Sequence, residues 1–137
     1  MGPAAIFAVS KSEGGRVNEE ELISFIRAHI GSVYTLELLL LMKRHRDRRW
    51  LVDDLVRELR SSRTAVGEAL VRLTQAGLIS EKAEGHYAFA PGSERHALMA
   101  EEIARAYAST PLAVVKAIIA SPDQKLRAFS DAFKLKE

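Results

Sequence analysis

Between Leu55 and Ile79 the chain reads LVRELRSSRTAVGEALVRLTQAGLI, two stretches with apolar residues at helical spacing on either side of the polar break RSSRT. Ser62 is suited to start the second stretch as an N-cap, so the spacing predicts two helices that meet at a tight polar turn. In the second helix Val66, Ala69, Leu70 and Leu73 recur on one face, and Gly77 ends it. The opposite face carries Thr64, Glu68, Val71 and Gln75, with Gly67 and Arg72 on its flanks. A glycine inside a helix costs about 1 kcal/mol relative to alanine. Gly67 therefore calls for a reason: close approach of a partner to the bare backbone, or relief of crowding against a neighbouring helix.

The elements around this pair follow from the same signals. Residues 1–17, with a Gly-Gly pair and little periodicity, read as a loose arm. Asn18 caps a helix over residues 18–31, in which Glu19, Glu20 and Glu21 occupy the first turn and Leu22, Ile23, Ile26 and Ile30 form the apolar stripe that Gly31 ends. A helix over Val33–His45 holds four consecutive leucines, too wide an apolar surface for a simple surface helix, and is expected at the centre of the core. Trp50 and Leu51 form a short extended piece before a helix over Val52–Leu59. Beyond Gly77 the period changes: Leu78–Lys82 and His86–Ala90 read as two strands joined by a turn at Ala83, Glu84 and Gly85. Helices then resume over Glu94–Ala108, from Thr110 to near Ser121, and after Ser121 and Pro122, where Leu126, Phe129 and Phe133 share a face.

A helix, a short extended piece, two helices joined by a tight turn and a hairpin is the order of the winged helix-turn-helix proteins. From Leu51 the residues LVDDLVRELRSSRTAVGEALVRLTQAGLISEKAEGHYAF resemble that family. Their exit LTQAGLI is similar to the L-x-x-L-x-x-x-G-L-[IV] ending of bacterial transcriptional regulators of the MarR type. The resemblance covers residues 33–91; the hairpin is shorter than the arginine-rich wing of the MarR group, which leaves the subfamily open. The expected fold is mainly α with a small β-hairpin: a winged helix-turn-helix domain over residues 32–91, a preceding helix over 18–31, and a helical extension over 92–137 that is a candidate dimerisation region.

The resemblance implies that the helix at about residues 62–76 enters the major groove of duplex DNA, with Ser61, Ser62, Arg63 and Thr64 nearest the bases and backbone. Hydroxyls, helix N-terminal amides and a guanidinium suit phosphate, and Arg63 also suits guanine. Gly67, Glu68 and Arg72 join the candidate interface along the helix, and Lys82 and His86 join it from the hairpin. Glu68, Glu81 and Glu84 oppose phosphate, although Glu68 suits the cytosine amine.

Charge is placed to match. The chain carries a net +2, but between Lys43 and Arg72 nine basic residues stand against five acidic ones. Arg44, Arg46, Arg48 and Arg49 are the densest basic cluster, which equally suits a solvated helix C-terminus.

No phosphate-cradling glycine loop, nucleophile elbow or metal-binding histidine pair occurs, and His29, His45, His86 and His96 are widely separated, so no enzymatic activity and no cofactor are expected. With no cysteine, no basic signal region at the start, and an apolar run of only Leu36–Met42, the expectation is a cytoplasmic protein without a membrane partner. A homodimer through the flanking helices is the expected assembly, with packing of those helices on their own domain as the alternative. Trp50 and Tyr107 are conceivable lining for a small effector, but no ligand is identified. The competing function is a protein-interaction adaptor that docks a partner through Phe129 and Phe133.

Overall fold

The computed structural model describes residues 17–120; Leu126, Phe129 and Phe133 lie outside them. It is mainly helical with one small antiparallel sheet of three strands. Two compact units are present, one formed by the chain up to Val33 together with the chain from Glu102, the other by Tyr34–Glu101.

The second unit begins with α2 (Val33–Arg44), in which Thr35, Leu36 and Leu38–Met42 are buried, as four adjacent leucines require. It continues with β1 (Trp50–Leu51), α3 (Val52–Leu59), α4 (Arg63–Gln75), β2 (Ile79–Ala83) and β3 (His86–Phe89), and ends in the first part of α5 (Glu94–Ser109). The hairpin gains a third strand: Trp50 pairs with Tyr87 and Leu51 with His86, which gives the sheet order β1-β3-β2. The extended piece before α3 thus covers the edge of β3 that a lone hairpin would leave open. The β2–β3 register runs from Ile79–Phe89 to Glu81–Tyr87 and is broken by a bulge between Glu81 and Ala83.

Both helices of the central pair end in the same way. At the end of α4 the Gly77 amide donates to the Thr74 carbonyl and the Leu78 amide to the Leu73 carbonyl, a Schellman motif whose two apolar members, Leu73 and Leu78, are both buried. The left-handed residue is Gly77, with φ of 81°. A Cβ there would also stand 2.8 Å from His96 Nε2, so the position excludes a side chain twice over. His96 is held in place by Ser93, whose Oγ lies 2.8 Å from the ring Nδ1 and accepts the His96 amide at 3.1 Å. Beyond β3 the chain returns to the same point, Ala90 donating to the Leu78 carbonyl and Gly92 to the Gly77 carbonyl. One backbone junction therefore joins the end of α4, the start of β2 and the approach to α5.

In the first unit Asn18 caps α1 (Glu19–Phe25), its Oδ1 accepting the Glu21 amide at 2.7 Å. Val17 and Leu22, the residues one before the cap and four after it, are both buried, the arrangement of a hydrophobic staple. Val17 therefore belongs with the helix rather than with the arm in which the sequence places it. The helix does not stay α-helical to Gly31: Ile26–Ile30 form a π turn, closed by the Gly31 amide on the Ile26 carbonyl at 3.1 Å. Leu22, Ile26 and Ile30 are spaced by four throughout, and all three are fully buried, whereas Ile23 is half-exposed. The wider turn suits that four-residue spacing. α6 (Pro111–Ile119) packs on this π segment with Val114, Ala117 and Ile118 buried; Leu112 and Ile119 stay exposed.

Gly77→Ala is expected to lower the unfolding free energy by about 1–2 kcal/mol through the left-handed backbone alone, with the His96 clash added, read as a shift of the urea midpoint at unchanged slope.

Candidate nucleic-acid interface

α4 starts where the serine requires it. Ser62 is extended, with φ −98° and ψ 160°, and its Oγ accepts the Ala65 amide at 3.1 Å. The hydroxyl keeps its own proton to donate, and the amides of Arg63 and Thr64, in the first turn, have no acceptor within the helix. Val66, Ala69, Leu70 and Leu73 are buried, while Thr64, Glu68, Val71 and Gln75 are exposed, so the amphipathic division read from the spacing is the division in the fold. Ser61, Gly67 and Arg72 are partly covered; Ser62 and Arg63 are exposed.

Gly67 settles one of the two readings of its occurrence. A Cβ built on it meets nothing within 4 Å. Among the described residues no neighbouring helix crowds the position, so crowding against them is not the reason for the glycine.

The charges beside the start of α4 are arranged by two aspartates of α3. Asp53 pairs with Arg63, both side chains two-thirds exposed. Asp54 accepts the Leu51 amide at 3.1 Å and lies 2.7 Å from the Arg57 guanidinium and 3.8 Å from that of Arg48. Its carboxyl is held below the ordinary carboxylate range, first by the Leu51 amide and then by the two arginines. Since Leu51 has no side-chain acceptor to offer, Asp54 supplies the side-chain hydrogen bond at the start of α3 by reaching back from N3.

The basic cluster after α2 divides. Arg46 lies 5.3 Å above the Phe89 ring and 3.7 Å from Glu101; Arg48 lies 3.7 Å above the Trp50 ring as well as beside Asp54. These two arginines cover the aromatic core. Trp50, weighed as a lining for a small ligand, is 1% exposed and is a core residue. Arg44 and Arg49 are exposed and have no ion-pair partner among the described residues.

In the hairpin Glu81 accepts the Gly85 amide at 2.8 Å, closing the turn with a carboxylate that the sequence reading counted only as repulsion. His86 Nδ1 lies 3.0 Å from the Glu84 carbonyl oxygen, a contact in which the ring nitrogen donates. The His86 ring is thereby tied to the turn, and Lys82 is the exposed cation of the hairpin.

Sequence reasoning missed Arg60. It occupies the same place at the end of α3 that Gly77 occupies at the end of α4: its amide donates to the Arg57 carbonyl, the Ser61 amide donates to the Val56 carbonyl, and its φ and ψ are 51° and 53°. It is the non-glycine residue at positive φ among the described residues, and it is exposed immediately before the start of α4. The signal was present in LRSS, a helix end that has to turn back sharply with no glycine to do it. The Asp53–Arg63 pair gave no such signal, because ten residues separate the two.

The chain matches no protein-family model, no curated protein and no solved structure.

Arg60→Gly is expected to raise stability by about 1 kcal/mol in urea unfolding, by removing the left-handed penalty. A depressed carboxyl pKa adds stability that is present above the unfolded-state value and lost as pH falls through the folded one. Asp54→Asn is therefore expected to be less stable than the native protein at pH 7, and the gap is expected to close as pH falls below the ordinary carboxylate range, measured by urea unfolding across pH.

Proposed function

We propose that residues 32–91 form a winged helix-turn-helix domain that binds duplex DNA, with α4 in the major groove. The sheet order β1-β3-β2, with the first strand placed between α2 and α3, supports the winged-helix reading of the fold. The observation that carries the function is the outward face of α4. It is exposed along its length, it begins with a capped N-terminus flanked by Arg60 and Arg63, and it contains a glycine for which packing among the described residues supplies no cause. A helix N-terminus favours anions, and bare backbone permits a large planar partner to come close.

In this reading Ser61, Ser62, Thr64 and Arg63 meet the phosphate backbone and the first base edges, with Lys82 and His86 approaching the backbone from the hairpin. Asp53 competes with phosphate for Arg63. The exposed pair contributes at most about 1 kcal/mol to stability, so a phosphate displaces it at little cost. Transcriptional regulation is the role that the family resemblance implies. Self-association through α6 goes with it, because Leu112 and Ile119, 74% and 59% exposed, leave an apolar strip on that helix.

Fluorescence anisotropy on mixed-sequence duplex DNA, taken across a salt series, tests the reading. The native protein is expected to bind with a steep salt dependence, and Arg63→Ala combined with Thr64→Ala to bind roughly tenfold more weakly with a salt slope smaller by about one. Asp53→Ala is expected to tighten binding by freeing Arg63. Absence of binding by the native protein at low salt would falsify the reading. For the assembly, light scattering is expected to give twice the chain mass, reduced to one chain by Leu112→Glu with Ile119→Glu.

A further inference from the structure

Gly67 does not stand alone on α4. Thr64 lies three residues before it and Val71 four residues after it, the spacings that put side chains on one helical face a turn apart. Thr64 is exposed, and Val71, at 57% exposed, is a large apolar side chain left in water in the middle of the helix. A β-branched residue therefore stands about one turn away on each side, with neither side chain within 4 Å of the point a Cβ would take. Nothing from the described residues enters the gap, since a Cβ at Gly67 meets none of their atoms within 4 Å.

We propose that this gap admits the C5 methyl group of a thymine onto the bare Gly67 backbone, on the exposed face between Thr64 and Val71. The inference rests on the DNA-binding reading and deepens it by naming the base. Among base edges in the major groove, thymine alone presents a methyl group, and apolar side chains are what contact it. The size matches: the volume withheld at Gly67 is that of one methyl group, so an alanine there would put the protein's own methyl where the base's would go. The exposure of Val71 has the same explanation, because an apolar side chain on a reading face gains only from an apolar partner. Arginine, lysine or a carboxamide at position 71 would have served a purely polar contact.

The protein offers a clean test because the substitution that fills the gap does not strain the fold. Gly67→Ala meets no neighbour among the described residues and improves helix propensity, so it is expected to melt at a higher temperature than the native protein. Duplexes selected from a random pool by the native protein are resynthesised with each thymine replaced in turn by deoxyuracil, which differs only in lacking the methyl. One position in each recognition site is expected to lose about three- to fourfold in affinity on that exchange, the worth of one buried methyl group. The same exchange is expected to have no effect on Gly67→Ala, which binds the thymine duplex more weakly than the native protein.

If the native protein binds duplex DNA and no thymine-to-uracil exchange matters, or if Gly67→Ala retains the full penalty, the methyl contact is overturned and the DNA-binding reading stands. If the native protein selects no duplex and shows no salt-dependent binding, both are overturned together, and the Thr64–Gly67–Val71 face belongs to a different kind of partner.

Discussion

Burial of one face of α4 is the constraint on which the arrangement depends. Val66, Ala69, Leu70 and Leu73 are all at most 2% exposed, and the helix carrying them packs against both α3 and β2. Four apolar side chains at helical spacing leave the helix one rotation about its axis, since any other would bring polar groups into the core without partners. The outward direction of Thr64, Gly67, Glu68 and Val71 follows from the inward direction of the other four.

The ends of the helices do the rest of the positioning. α3 and α4 terminate in the same backbone motif, yet one uses glycine at the left-handed position and the other arginine. At Gly77 the glycine is demanded by the backbone and by the His96 ring, and the junction it forms holds β2 and the chain leaving β3. At Arg60 a residue that pays a conformational penalty stands exposed beside the candidate interface. Residues held in sparsely populated backbone regions cluster at functional sites, and the direction of inference runs from the observed outlier to the role. The contrast between these two positions, and between a crowded Gly77 and an open Gly67, separates what the fold needs from what the fold merely tolerates.

Charge works on the same surface in a balanced way. The basic segment between Lys43 and Arg72 is not a uniform positive patch: Asp53 and Asp54 hold Arg63, Arg57 and Arg48, while Arg46 and Arg48 lie over aromatic rings. Such pairing lowers the net positive charge of the surface, and exposed ion pairs of this kind exchange partners at small cost.

Much of this was legible in the chain itself. The order of elements, the Ser62 and Asn18 caps, the buried and exposed faces of α4, and the ends at Gly31 and Gly77 are local properties: each depends on side chains within about one or two helical turns, which linear spacing records. Three-dimensional proximity decided the remainder. The pairing of Trp50 with Tyr87, the Asp53–Arg63 contact and the approach of His96 to Gly77 join residues far apart in sequence, and no periodicity encodes them. The π turn at Ile26–Ile30 and the left-handed Arg60 are departures from local preference that only packing and chain direction can impose. Gly67 shows the division most clearly: the sequence could state that a side chain was missing from a helix, but only the structure could show that no described residue crowds the space it leaves.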